Sequence, residues 1–313
     1  MSTKCIDIVL ASYNGADYIK EQLDSIMSCE GYNELVNEII ISDDCSIDDT
    51  VKIINEINDT KIKLVENKFQ KGPVGNFSHG LSISTAQFVM LSDQDDVWFK
   101  NKLLKFYDKA QLLDVNHPGV IYSNLMLVDK NLNPLGYNFF ENENIAFDWG
   151  IKVSNLFFQN IAPGCAMLLN RKCIERINPL NDERIMMHDW WALMFAAIYA
   201  NVQVINEPLV KYRQHGNNAV GATINNGYSM VFKKLKRSWV NFHKAMNQLK
   251  LFYSSLSQYE IESLSENERK RILFFDSFNK KNFLQRVQAA FDNSPYKSDR
   301  IRDIVTRFYI ILG

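Results

Sequence analysis

The sequence predicts an α/β protein built on a mixed, mainly parallel sheet flanked by helices. Two observations lead there. Short β-rich runs alternate with helix-period patterns through the first half, which is how βα units feed a parallel sheet. A polar loop follows the carboxyl end of three of those runs, the place where open α/β sheets bind ligands.

Residues 6–10, 38–41, 61–65 and 88–91 read as strands. Between them Tyr18, Ile19, Gln22, Leu23 and Ile26 recur at helical spacing, as do Val51, Ile54 and Ile57. Pro73 suits the first turn of a helix carrying Phe77 and Leu81, and Leu103, Leu104 and Tyr107 mark the next. Residues 120–128 and 166–169 read as further strands, 188–200 as a buried helix, and 202–205 with 209–212 as a pair of strands. Residues 130–165 carry no clear period. Beyond about residue 225 the chain turns helical, aromatic and basic, which divides it into 1–225 and a subdomain 226–313.

That division also separates charge. Residues 226–313 hold 16 Lys+Arg against 8 Asp+Glu, a net +8, whereas residues 1–225 hold 19 against 28, a net -9. With 46% hydrophobic and 23% charged residues over 313 positions, the composition is that of a globular protein, neither disordered nor repetitive. The longest apolar run, residues 190–200, falls short of the roughly 20 residues a membrane span needs, so no transmembrane helix is expected. The N-terminus carries Asp7 where a signal peptide has its apolar centre, and five scattered cysteines lack metal or redox spacing; a cytoplasmic protein with reduced thiols is expected.

Five constellations carry chemistry. Ser92-Asp93-Gln94-Asp95-Asp96 packs three carboxylates at a strand end, where they repel unless a cation lies among them, and Asp93 and Asp95 would share one side of an extended segment. The same acids also suit the start of the following helix. Asp43 and Asp44 follow a strand and can accept from a base N–H or a ribose hydroxyl, while Asp48 and Asp49 suit a helix N-terminus. Ala11-Ser12-Tyr13-Asn14-Gly15 lets backbone approach a nucleotide with Tyr13 on its base, or makes a plain Asn-Gly turn. Asp189, between His188 and Trp190-Trp191, is either a carboxylate raised by aromatic surroundings, as a general base requires, or the N-cap of a helix whose tryptophans are core. Arg213 offers a cation to phosphate, and His215 a metal ligand or diphosphate contact.

In their order and spacing these motifs resemble the family 2 glycosyltransferases with the GT-A fold, over roughly residues 4–221. The resemblance rests on Ile-Val-Leu-Ala-Ser-Tyr-Asn-Gly (8–15), Ile-Ile-Ile-Ser-Asp-Asp-Cys-Ser-Ile-Asp-Asp-Thr (39–50), Met-Leu-Ser-Asp-Gln-Asp-Asp-Val-Trp (90–98), Met-His-Asp-Trp-Trp (187–191) and Tyr-Arg-Gln-His-Gly-Asn-Asn (212–218). They look most like the rhamnosyltransferase branch found in surface-polysaccharide synthesis. The resemblance implies nucleoside contacts at Asp43 and Asp44, an Asp-x-Asp metal motif at Asp93 to Asp95, a donor contact at Asn76 and a catalytic base at Asp189. The nucleotide-sugar site so read comprises Ala11, Ser12, Tyr13, Asn14, Asp43, Asp44, Asn76, Asp93, Gln94, Trp190 and Arg213, with Mn²⁺ or Mg²⁺ on Asp93, Asp95 and His215. Cys45 departs from a position where the family commonly has Gly. A Gln-x-x-Arg-Trp motif and membrane spans are missing, which argues against a processive synthase.

The function expected is inverting transfer from a nucleoside-diphosphate sugar, dTDP-rhamnose or a UDP-hexose, to a glycan or lipid-linked oligosaccharide. The alternatives are a sugar-phosphate nucleotidyltransferase, which wants a Gly-rich first loop that residues 11–15 do not supply, and a non-catalytic nucleotide- or glycan-binding protein. Gly-x-Gly-x-x-Gly and Gly-Lys-Ser/Thr patterns are absent, against an oxidoreductase or a P-loop NTPase. The run from Lys233 to Arg237 beside Trp239, with Arg302, Arg307, Phe308, Tyr309 and Ile310, reads either as a peripheral contact with anionic lipid or as a solvated subdomain or homo-oligomer contact. Nucleic acid is not expected.

Overall fold

The computed structural model describes residues 4–68, 70–215 and 228–313, except for the side chains of 228–234. The expected division at 225/226 and the Gly216-Asn217-Asn218 end of the last motif lie outside the described residues.

The alternating first half folds as β1 (Ile6–Ser12), α1 (Ile19–Met27), α2 (Tyr32–Leu35), β2 (Val36–Asp43), α3 (Thr50–Glu56), β3 (Ile62–Glu66), α4 (Pro73–Ile83) and β4 (Phe88–Asp93). These strands lie side by side in the order β3-β2-β1-β4, all parallel. Both faces are covered by helices, so β1 and β2 read as near-continuous apolar runs, with Ile8, Val9, Leu10, Ile39, Ile40 and Ile41 fully buried. Parallel register then aligns the carboxyl ends. Ser12 stands opposite Asp43 and Ala11 opposite Asp93, which brings three polar loops to one rim.

The chain continues through β5 (Val97–Trp98), α5 (Lys102–Ala110), β6 (Val120–Val128), β7 (Pro134–Asn138), α6 (Phe139–Glu143), three 3-10 turns (Trp149–Ile151, Val153–Leu156, Gly164–Ala166), β8 (Met167–Asn170), α7 (Arg171–Ile177), α8 (His188–Ile198) and β9 (Val202–Arg213). The sheet runs on from β4 as β8-β6-β9-β5, with β7 beside β6. Among the described residues β5, β7 and β8 oppose the other six strands. The sheet is therefore mixed and mainly parallel.

One expectation fails here. Residues 202–205 and 209–212 are not two paired strands but parts of the single strand β9, parallel to β6. The Asn206-Glu207-Pro208 interruption reads as a turn in sequence, yet the structure absorbs it as an irregularity. Ile205 pairs with Ser123 and Pro208 with the next residue, Asn124, so two residues of β9 are accommodated without a reversal. The exposed β7, in the stretch that has no clear period, shows why periodicity missed it: four of its five residues are exposed and bury no face.

The C-terminal helices are α9 (Tyr228–Ser255), α10 (Gln258–Ser263), α11 (Glu266–Asp276), α12 (Phe283–Ala290) and α13 (Arg300–Leu312). Capping boxes start α10, α11 and α12, with Ser257 and Glu260, Ser265 and Glu268, and Asn282 and Gln285 each exchanging side-chain and backbone hydrogen bonds. Phe158, in the loop before β8, stacks on Phe242 of α9 at 5.3 Å and meets Phe275 of α11 edge-on at 4.7 Å. One apolar cluster thus continues from the sheet through α8 into these helices. Among the described residues no helix is long and apolar enough to cross a membrane.

Candidate active site

The first two loops are stitched by short polar side chains. Ser12 at the end of β1 donates its hydroxyl to Asp43 Oδ1 (2.8 Å), and Asp43 also accepts from Ser46 N (2.7 Å) and Ser46 Oγ (2.6 Å). Asp44 accepts from Asn67 Nδ2 (3.2 Å) and Gly72 N (2.7 Å). Both carboxylates are buried. Asn14, at φ 47°, accepts from Ile47 N (2.9 Å), and its own N–H donates to Ser46 Oγ (2.8 Å). Asn76, at the start of α4, donates to Ser12 O (3.1 Å) while its buried Oδ1 has no protein partner. Asp48 accepts from Thr50 and Ala16, so it joins the two loops; Asp49 is the N-cap residue of α3 but makes no side-chain cap bond. Cys45 sits at φ 62°, a left-handed conformation, which is the physical reason glycine suits that position.

The third loop closes on the first. Tyr13 N donates to Gln94 Oε1 (2.8 Å) and Gln94 Nε2 donates to Tyr13 O (3.0 Å), leaving the Tyr13 ring half exposed at the rim. A Cβ on Gly15 would lie 2.2 Å from Gln94 Oε1, so this closure needs glycine. Beyond β4 the backbone bends at Gln94 and Asp95 instead of staying extended, and Asp93 and Asp95 meet different partners. Asp95 Oδ2 meets His215 Nε2 at 2.8 Å, and His215 stacks on Tyr18 at 5.0 Å. Asp93, Asp96 and Cys165 gather ligand atoms within 4.8 Å of one another. Burial, then the charges of Asp95 and Asp189, push the Asp93 carboxyl up.

That mutual repulsion fits a hard divalent cation. Asp93, Asp95 and His215 offer oxygen and imidazole donors, and Asp96 Oδ2 is buried without a partner. Cys165 does not compete as a thiolate, because burial and the neighbouring Asp96 and Asp93 hold its proton on.

Arg213, at the end of β9, is buried and spans the site. It donates to Asp95 O (2.7 Å), to Lys130 O (2.5 Å) and to Glu21 Oε2 (2.6 Å), while its N–H reaches Asp96 Oδ1 (3.1 Å). The phosphate contact expected of Arg213 meets a guanidinium already bonded to the third loop.

Asp189 is the second residue of α8 and not its N-cap, which is Met187. Its carboxylate accepts from Asn160 Nδ2 (2.9 Å), Gly164 N (2.8 Å) and Trp190 N (2.6 Å). Burial raises its pKa to about 6 against those hydrogen bonds. Trp190, expected among the nucleotide-sugar contacts, is buried and donates its indole N–H to Leu156 O (2.6 Å). Ala11 lies partly buried in β1, opposite Asp93.

Several residues of the site gave no signal in sequence. Asn160 and Gly164 come from the stretch without period. Lys102, the first residue of α5, is fully buried with its ammonium 3.5 Å from the Trp98 ring and bonded to Cys165 O at 2.7 Å. It links the carboxylate loop to the turn whose Gly164 N–H holds Asp189.

Comparison with known proteins places the chain in a family. Curated relatives include the dTDP-rhamnosyl transferase RfbG of Shigella flexneri, 28% identical over 72% of this chain and 78% of its own length. Another is the UDP-Glc:alpha-D-GlcNAc-diphosphoundecaprenol beta-1,3-glucosyltransferase WfgD of Escherichia coli, 24% identical over 76% of this chain and 85% of its own. Among solved structures, S. aureus TarS 1-349 in complex with UDP-GlcNAc superposes with a TM-score of 0.53 at 15% identity, covering 98% of this chain and 90% of that one, a likeness of fold. The family model described as glycosyl transferase family 2 matches residues 7–174, which span β1 to α7 and all three rim loops. The chain belongs to glycosyl transferase family 2 and is a glycosyltransferase with the GT-A fold.

Proposed function

We propose that this enzyme is an inverting, non-processive hexosyltransferase of bacterial surface-polysaccharide synthesis, using dTDP-rhamnose or a UDP-hexose as donor. The acceptor is a hydroxyl of a glycan or lipid-linked oligosaccharide. The names of the Shigella and Escherichia relatives support both the donor pair and the lipid-linked acceptor.

The observation that carries the reading is Asp189. It is a single carboxylate held by three donors, raised to about 6, and close enough to Asp93 for its charge to raise the Asp93 carboxyl. In the reaction Asp189 takes the proton of the acceptor hydroxyl as its oxygen bonds to the anomeric carbon. The bond from that carbon to the diphosphate breaks on the opposite face, which inverts the centre. General base catalysis of this kind contributes about 10² to 10⁴ in rate. Asp43 and Asp44 orient the nucleoside, Tyr13 covers the base, and Asn76 Oδ1 takes a donor hydroxyl. Asp93, Asp95 and His215 would hold Mn²⁺ or Mg²⁺, which when bound neutralises the departing diphosphate. Arg213 acts on the same loop by fixing Asp95 and Asp96 in place.

A donor panel tests the reading: purified enzyme with Mn²⁺ or Mg²⁺, each nucleotide sugar in turn, and an EDTA control, with nucleoside diphosphate release as the signal. Metal-dependent turnover of one donor in the presence of a glycan acceptor is expected. Transfer that persists undiminished in EDTA would overturn the metal assignment.

A further inference from the structure

Helix α13 buries Thr306, Tyr309 and Ile310, but leaves Ile301, Ile304, Phe308 and Leu312 exposed at 73%, 65%, 55% and 57%. Of Phe308, Tyr309 and Ile310, which the lipid reading of the sequence names, the structure leaves Phe308 outside and turns Tyr309 and Ile310 inward. The four exposed residues follow at spacings of three, four and four, so at 3.6 residues per turn they share one stripe of roughly 80°. Arg300 and Arg302 border that stripe on opposite sides; Arg302 also pairs with Glu143 at 2.5 Å. Alongside, Tyr309 donates its hydroxyl to Leu235 O (3.1 Å), which sets exposed Lys236 and Arg237 of α9 next to α13.

We propose that the outward face of α13 is a membrane-contact surface, lying flat on an anionic bilayer. An exposed apolar stripe flanked by arginines is the pattern of an interfacial helix whose cations reach lipid phosphates. Charge selects lipid over a second copy. Residues 226–313 carry 16 Lys+Arg against 8 Asp+Glu, so two copies meeting through this region would oppose +8 to +8. As an account of how a lipid-linked acceptor is reached, the inference rests on the function proposed above; the binding itself does not.

The test floats the full chain, without donor, on vesicles of phosphatidylcholine alone or with phosphatidylglycerol. Wild type is expected to float with the anionic vesicles and stay behind with the neutral ones. The double variant Ile304→Glu, Phe308→Glu should lose at least about tenfold in bound fraction, while its donor turnover with a soluble acceptor stays at the wild-type level. No flotation with anionic vesicles, or equal flotation of wild type and variant, overturns the proposal. So does sedimentation velocity showing a wild-type dimer that the double variant dissolves, which would make the stripe a self-association face. Because flotation is read without substrate, a silent donor panel would sink the catalytic reading and leave this one standing.

Discussion

The Gln94 side-chain amide and the Tyr13 backbone are bonded in both directions, 2.8 Å from Tyr13 N to Oε1 and 3.0 Å from Nε2 to Tyr13 O. Two neutral hydrogen bonds of about 1 kcal/mol each hold the first rim loop to the third. Removing them in Gln94→Ala should raise the donor KM by roughly tenfold. Gly15→Ala should act through the same pair, because the new methyl displaces the Gln94 amide. The double variant is then no worse than the worse single one, and a double-mutant cycle on KM reads that non-additivity.

Asp189→Asn should lower kcat by about 10² to 10⁴ while leaving donor affinity, measured calorimetrically with the nucleoside diphosphate, nearly unchanged. Since the active form is the carboxylate, kcat/KM of the wild type should rise with pH through about 6 and then level off. Stability moves the other way. The folded carboxyl binds its proton more tightly than the unfolded one, so its contribution is full below the ordinary carboxylate range and is lost as pH rises through about 6. The melting temperature of Asp189→Asn relative to wild type should therefore increase between pH 5 and 8, a trend a pH series of thermal melts measures directly.

His215 sits against Asp95 and on the Tyr18 ring. Replacing it by Ala removes one nitrogen donor, so the Mn²⁺ concentration for half-maximal activity should rise about tenfold or more. Saturating metal should restore most of kcat. A variant with unchanged metal titration would take His215 out of the ligand set.

Cys45 occupies φ 62°. An L-residue there costs roughly 1–2 kcal/mol over glycine, against about 0.5–1 kcal/mol for the extra freedom glycine gives the unfolded chain. Cys45→Gly should therefore stabilise the fold by up to about 1 kcal/mol, seen as a higher denaturant midpoint with unchanged slope.

The parts of the site legible in sequence are those whose chemistry is local. The loops at 11–15, 42–46 and 92–96 follow apolar runs and concentrate polar and acidic residues, so strand ends and acid clusters could be read together. What sequence could not supply was partnership over distance. Asp93 and Asp95 look equivalent in an extended segment; the bend at Gln94 and Asp95 sends Asp95 to His215 while Asp93 meets Asp96 and Cys165. Arg213 looked like a phosphate cation because nothing nearby in sequence shows Glu21 or the carbonyls that occupy it. Trp190 was drawn into the site by adjacency to Asp189, yet on a helix adjacent residues point about 100° apart, and the indole goes into the core.

The Arg213 strut also bears on when the protein acquires its chemistry during synthesis. Its guanidinium ties Glu21 to a residue 192 positions later, and the short β5 pairs, among the described residues, with β9 alone, more than a hundred residues downstream. The β3-β2-β1-β4 sheet can form from the first ninety or so residues alone, by local βα closure. The carboxylate loop is clamped only after β9 has left the ribosome and threaded between β6 and β5. A nascent chain stalled before Arg213 should therefore fold its β3-β2-β1-β4 half while remaining unable to hold the carboxylate loop in register.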